Sequence, residues 1–319
     1  MGATSLIFAH SKNKTAMILA AIDIGSNAIR LQVIRAIKEG ERVSFKKLEF
    51  IRFPLRLGQD VFSSGVIQPV TAQRFSKLMG IFKGLIDLYE VQAYVARATS
   101  AMREAKNGKE IARRVAAECG LEIKIISGKE EARLINKAIL PYLDEQAYIH
   151  IDVGGGSTEL NVYRGRQLAG SKSFKMGSVR QLSGRQRKAV FKTIKAWYGQ
   201  EFGAGTAPFI AVGTGGNINK LYQLANHKYG NSISRAELLA LRAYVAEFSL
   251  EHRVNILKMN PDRADVIIPA SEIYAEVMRI FGADYIRVPG VGLKDGLLYS
   301  LYEEQAQEYI GDIAFLGQF

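Results

Sequence analysis

The sequence holds one cysteine, Cys119, in 319 residues. An intrachain disulfide is therefore excluded, and such sparing use fits a reducing compartment, so a cytoplasmic location is expected. Cys119 closes a helical pattern just before Gly120, which reads as helix-end packing rather than as a nucleophile. Histidine is also scarce. His10, His150, His227 and His252 show no metal-ligand spacing, and no His-Asp pair occurs. Long apolar runs are missing, so neither a transmembrane helix nor a membrane partner is expected. Residues 1–14 lack the apolar segment of a signal peptide and read as a frayed leader before the first strand. Acidic residues are outnumbered: 31 Asp and Glu against 43 Lys and Arg give a net charge of +12. They are absent from 164–195, where ten Lys or Arg fall. A balance this basic implies an acidic partner, whether nucleic acid, anionic lipid or a polyanionic substrate. The basic run itself is open to two readings, a solvated face or a polyanion track. Lys188, Lys192 and Lys195 have helical spacing and can line one face of it.

What the chain does have is a repeated grammar. Ile149-His150-Ile151-Asp152-Val153-Gly154-Gly155-Gly156-Ser157-Thr158-Glu159-Leu160 reads as a strand, a glycine turn and the start of a second strand. Glycines let the backbone turn tightly and aim several N–H groups at one oxyanion. Ser157 and Thr158 add hydroxyls. Asp152 and Glu159 place two carboxylates beside the cradle, which suits a hydrated Mg²⁺ next to phosphate. Alone, this stretch also fits an ordinary hairpin. Ala21-Ile22-Asp23-Ile24-Gly25-Ser26-Asn27 repeats it, and a third glycine turn follows a strand at Ile210-Ala211-Val212-Gly213-Thr214-Gly215-Gly216. Two Asp–Gly hairpins, each near the start of one half, predict a duplicated domain. The expected fold is α/β, with two like domains at 1–136 and 137–319 and a cleft between them. The terminal helix is free to pack back on the first domain. Facing turns would clamp one phosphate chain through Ser26, Gly154, Gly155, Gly156, Ser157, Gly213 and Gly215.

The remaining elements follow from periodicity. Strands are expected at 17–22, 29–34, 43–50, 93–96, 121–126 and 285–288, with an irregular stretch at 54–64. Helices are expected at 71–89, 109–119, 217–226, 234–252 and 264–281, the last with a break at Pro269, and a terminal helix follows Gly292. Ser100 can cap a helix and put Arg103 on its first turn, where a guanidinium beside free N–H groups binds anions. An exposed surface arginine is the other reading. Ser127 and Glu130 have capping-box spacing, which leaves Glu131 free. A carboxylate there can orient and deprotonate a water, or simply complement the helix dipole.

As a set, these segments resemble the exopolyphosphatase / guanosine pentaphosphate phosphohydrolase family. The likeness is carried by Ile22-Asp23-Ile24-Gly25-Ser26-Asn27, Ala98-Thr99-Ser100-Ala101-Met102-Arg103-Glu104-Ala105, Ser127-Gly128-Lys129-Glu130-Glu131-Ala132-Arg133-Leu134, Ile151-Asp152-Val153-Gly154-Gly155-Gly156-Ser157-Thr158-Glu159, Gly213-Thr214-Gly215-Gly216 and Arg263-Ala264-Asp265-Val266-Ile267. The resemblance implies the two-domain fold of actin, sugar kinases and heat-shock ATPases. It implies Mg²⁺-dependent release of terminal phosphate from inorganic polyphosphate, or of the 5′ phosphate from guanosine pentaphosphate. By the same likeness Glu131 is the catalytic base, Arg103 acts with it by stabilising charge on the transferring group, and Asn27, Arg30 and Arg103 line the phosphate site. Asp152, Gly154, Gly155, Ser157 and Glu159 then form the second phosphate and metal loop. Ala28 stands where many members have Ser. The helical domain of longer members, with its His-Asp motifs, has no counterpart here, which fits the short, two-domain form. A nucleic-acid partner is not expected; a homodimer stays open. So do an ATP-binding kinase-like activity, with Gly213 to Gly216 as an adenosine turn, and a regulatory polyphosphate-binding protein, which would not need a base at Glu131.

Overall fold

Runs of Ile, Leu, Val and Ala open both halves of the chain, and each run founds a six-stranded sheet. The computed structural model describes residues 15–203, 208–225, 230–307 and 313–316. The strands are β1 (Thr15–Ile24), β2 (Ile29–Glu39), β3 (Arg42–Phe53), β4 (Ala93–Ala98), β5 (Lys124–Ile125), β6 (Tyr148–Val153), β7 (Thr158–Arg164), β8 (Gln167–Phe174), β9 (Ile210–Thr214), β10 (Ser232–Ser234), β11 (Tyr285–Arg287) and β12 (Ile313–Leu316). The first sheet runs β12-β3-β2-β1-β4-β5 and the second β10-β11-β9-β6-β7-β8. The duplication is explicit in the pairing. β1 lies antiparallel to β2 and parallel to β4; β6 lies antiparallel to β7 and parallel to β9. The architecture is the expected pair of similarly built α/β sheets.

Period-two alternation sends the two faces of β1 into different cores. Ala20, Ile22 and Ile24 pack with the helix Pro69–Leu88, which buries Phe75, Leu78, Met79, Phe82 and Ile86 at helical spacing. Leu19 and Ala21 face a second core shared by both halves. That core holds Leu134, Ile135, Ala138 and Ile139 of the helix Gly128–Ile139, Leu297, Leu298 and Leu301 of the helix Leu293–Ala306, and Tyr148, Tyr163 and Val212 of the second sheet. Burying each large apolar side chain stabilises by roughly 1.5–3 kcal/mol, so the helix carrying Glu131 is held from both sides. The end of the chain returns to the first sheet: the helix Leu293–Ala306 packs under it, and β12 pairs parallel with β3.

Several elements differ from their sequence reading. Within 54–64, Leu57–Ser64 is helical, anchored by buried Leu57 and Val61 and stopped by Gly65 in the left-handed region. Only Lys124–Ile125 of 121–126 is strand, because Leu121 turns inward as a core anchor. The helix expected over 234–252 stops at Glu247 and restarts as Leu250–Asn255 under its own cap, Ser249. Pro269 does not break the apolar helix: it sits in the first turn of Ile267–Ile280, where its missing N–H costs nothing. The helix Gly108–Cys119 ends at Gly120, φ 68°, as expected. The leader at 1–14, His10, His227 and the end of the helix expected over 217–226 lie outside the described residues. Among the described residues no helix is long and apolar enough to cross a membrane.

Candidate active site

The two Asp–Gly hairpins close in the same way. Gly25 donates its N–H to the Ala28 carbonyl at 3.2 Å, and Gly154 to the Ser157 carbonyl at 3.0 Å. Strand register sets Asp23 opposite Arg30 and Asp152 opposite Glu159. The turns face each other so closely that a Cβ on Gly155 would lie 2.8 Å from Ser26 Cβ. Between them opens a cavity of about 300 Å³. Asp23, Ser26, Asn27 and Arg30 line one wall, Asp152, Gly154, Gly155, Ser157, Glu159 and Gly215 the other, and Glu131 lies between. The structure thus brings most of the sequence-derived site residues together.

Glu131 reaches the cavity from the first turn of the helix Gly128–Ile139. Ser127 caps this helix by accepting from Glu130 N at 3.2 Å, but the Glu130 side chain pairs with Lys124 at 2.9 Å instead of completing the box. Burial holds the Glu131 carboxyl well above the usual carboxylate range, and Glu159, Asp152 and Asp23 push the same way; Arg103 opposes them. Burial, with Glu159 and Asp23, also raises Asp152 to about 7. Glu159 accepts from Ser157 Oγ at 2.5 Å and Ser173 Oγ at 3.0 Å, yet its burial still moves it upward. Burial is thus the first cause of the upward shift at all three carboxyls.

Behind Asp152 runs a buried polar chain. Ser171 Oγ donates to Asn161 Oδ1 at 2.7 Å, Asn161 Nδ2 meets His150 Nδ1 at 3.0 Å, and His150 Nε2 meets Thr214 Oγ1 at 2.9 Å. Thr214 in turn bonds Asp152. Complete burial lowers His150 to about 3, so the ring is neutral at physiological pH. With Asn161 donating to Nδ1, Nε2 carries the proton, and every donor in the chain points toward Asp152.

The opposite rim is basic. Arg30 pairs with Asp23 at 2.7 Å. Arg263 packs over Gly216, and burial together with Arg52 and Arg30 lowers it to about 10. Ion pairs tie the halves together at this rim: Arg52 to Asp262, and Arg56 to Asp265 at 2.6 Å. Asn27 Nδ2 donates to the Asp262 carbonyl at 2.9 Å. Beyond the phosphate turns, Arg180 pairs with Glu104 at 2.7 Å and stacks over Phe62 at 4.2 Å.

Several sequence assignments need correction. Gly213 lies inside β9, where a Cβ would meet Ile286 at 2.7 Å and Ile218 at 2.9 Å; it is a packing position away from the cavity. Gly156 makes room for the Phe62 ring, whose Cζ would lie 2.2 Å from any Cβ at that position, and its carbonyl accepts from Arg180. Ser100 is not a cap: its hydroxyl bonds Ser26 Oγ at 2.7 Å, and Thr99 takes the cap position. Arg103 therefore sits in the last turn of Ser100–Glu104 and stands behind Glu131, donating to the Ile126 carbonyl at 2.8 Å and to Glu131 at 3.4 Å. Lys188, Lys192 and Lys195 lie on the exposed face of the helix Gly184–Phe202 and do not line the cavity.

Residues 33–305 match the Ppx/GppA phosphatase family. The chain belongs to that family. It is similar to the exopolyphosphatase 1 of Mycobacterium leprae, 24% identical over 314 residues, which cover 91% of each chain. The guanosine-5′-triphosphate,3′-diphosphate pyrophosphatase of Vibrio parahaemolyticus is 25% identical over 91% of this chain and 60% of its own. The bifunctional 3-dehydroquinate synthase/phosphatase of Fusobacterium nucleatum is 26% identical, and this chain spans only 45% of it. The crystal structure of the Aquifex aeolicus family member superposes with a TM-score of 0.71 at 26% identity, over 91% of this chain and 99% of that one. Family membership makes the chain a hydrolase of phosphoanhydride bonds. Among the residues lining the cavity, sequence reasoning missed Asp23, Arg52 and Arg263. Asp23 had a signal, since it repeats Asp152; Arg52 had none, because alternation along β3 does not show which end meets the cleft.

Proposed function

We propose that this chain releases terminal orthophosphate from inorganic polyphosphate by attack of water, with Mg²⁺ as cofactor. The observation that carries the reading is a buried carboxylate, Glu131, aimed into a cavity between two glycine turns. Backbone N–H groups of the turns hold the terminal phosphate, and Arg30 stabilises charge on the transferring group. Glu131 orients the water and takes its proton. The mycobacterial relative supports polyphosphate; the Vibrio relative supports guanosine pentaphosphate as the second reading, for which the cavity's extension to Phe50 and Lys294 leaves room. Phosphate release from long polyphosphate, guanosine pentaphosphate and ATP, measured side by side, separates these readings. Polyphosphate turnover below that of the nucleotides would overturn the first.

The donor set suits Mg²⁺. Asp152 and Glu159 offer hard oxygens whose mutual repulsion a cation would relieve. When bound, Mg²⁺ would supply charge neutralisation on the phosphate oxygens. Asp152→Asn is expected to raise the Mg²⁺ concentration for half-maximal activity by about tenfold or more, since one anionic oxygen is lost. A Mg²⁺ titration that superposes on the wild type would move the metal away from Asp152.

Arg103 acts on the base. Its positive charge favours ionised Glu131, so Arg103→Ala is expected to lower turnover and shift the acid limb of the pH–activity profile to higher pH. Arg103→Lys restores the charge without the fork and should return the limb part-way. An unmoved limb in Arg103→Ala would show that the 3.4 Å contact does not tune Glu131.

A further inference from the structure

A second cavity, of about 170 Å³, lies behind the Glu131 helix and shares no residue with the first. Its polar lining is Arg97, Lys124, Glu130, Arg133, Ser300 and Glu304, three cations against two carboxylates. The parallel register of β4 and β5 sets Arg97 opposite Lys124. Like charges facing across a strand pair are destabilising unless something of opposite sign lies between them. One carboxylate is already used, by the Lys124–Glu130 pair at 2.9 Å. Arg97 is half-buried, and its Nη1 donates to the Ala96 carbonyl at 3.1 Å. Among the described residues neither Arg97 nor Arg133 has a carboxylate within the 4.0 Å of an ion pair. Burial lowers the pKa of Arg97, and Glu130 and Glu304 offset this only in part.

We propose that this crevice is a second anion site, which takes a compact phosphate oxyanion between Arg97, Lys124 and Arg133. Two guanidinium forks and an ammonium match such an anion, and the Ser300 hydroxyl adds a neutral donor. The space suits orthophosphate or the end of a short phosphate chain. The site also touches the catalytic element. Glu130, Arg133 and Leu134 face the crevice from the helix Gly128–Ile139, whose neighbouring residue Glu131 faces the cleft. Occupancy therefore bears on the position of the base, so the product of the proposed reaction can feed back on it.

The test reads binding without turnover. The full chain is titrated calorimetrically with inorganic phosphate, then with tripolyphosphate, in the absence of divalent metal. Wild type is expected to show a class of phosphate site that Arg97→Gln/Arg133→Gln lacks. Melting temperature gives a second readout. In phosphate-free buffer the variant should melt no lower than wild type, because a like-charge contact is gone, and phosphate should raise it less. Arg133→Gln alone, an exposed change, should weaken that class at least fivefold. Loss of the class for orthophosphate only identifies the free ion as the ligand; loss for both identifies a terminal phosphate group. Equal stoichiometry and affinity in wild type and both variants would overturn the site, whatever the enzyme's substrate proves to be.

Discussion

Glu131→Gln is expected to lower phosphate release by about 10²–10⁴-fold while substrate affinity stays within a few-fold of wild type. Gln keeps the volume and one acceptor for Arg103 but cannot take a proton. The same residue should dominate the pH profile. Burial and the carboxylates of Glu159, Asp152 and Asp23 hold Glu131 well above the ordinary carboxylate range. A base must be ionised, so activity falls as pH drops through that raised value. Stability runs in the opposite sense. A carboxyl whose folded pKa is raised above its unfolded value of 4.5 stabilises the fold below that value, and the contribution is lost as pH rises through the folded pKa. Glu131→Gln should therefore melt above wild type at alkaline pH while being nearly inactive. That combination marks a group kept for chemistry at the expense of stability. A variant that retains turnover would remove Glu131 as the base.

The parts of this site that are legible in sequence are those fixed by local geometry. An Asp between apolar residues, two positions before a Gly, identifies both turns, because a strand must end there and the backbone must turn tightly. Asp152 and Glu159 are legible as a pair because a hairpin sets them in register. Glu131 stands out once Ser127 is read as a cap. Residues placed by tertiary packing are not legible. Arg263 reaches the cavity only because its short helix is tied to β3 through Arg52 and Asp262. Gly213 looks like its turn neighbours Gly215 and Gly216, yet the burial of Ile286 and Ile218 around it makes it a core position. The irregular stretch before Ser64 hides a helix, because Leu57, Val61 and Phe62 give it an apolar face too short for periodicity to register.

Packing also sets the second large effect, at Gly296. This glycine lies in the C-terminal helix Leu293–Ala306, which crosses the Glu131 helix so closely that a Cβ would sit 1.8 Å from the Leu134 carbonyl oxygen and 2.6 Å from its carbon. Both atoms are backbone, so no side chain can swing aside. Gly296→Ala must separate the helices, and overpacking of this kind costs about 3 kcal/mol or more. For a chain of this size the melting temperature should fall by roughly 4–5 °C or more. Turnover should fall with it, because Leu134 is one turn from Glu131 and a displacement of about 1 Å at a catalytic group can cost about 100-fold. Gly80 is the control. It lies in the helix Pro69–Leu88 with nothing within 4 Å of its Cβ position, so Gly80→Ala should raise stability by about 0.5–1 kcal/mol and leave turnover alone. If the two alanine variants melt alike, close contact between the helices is not what holds the base in place.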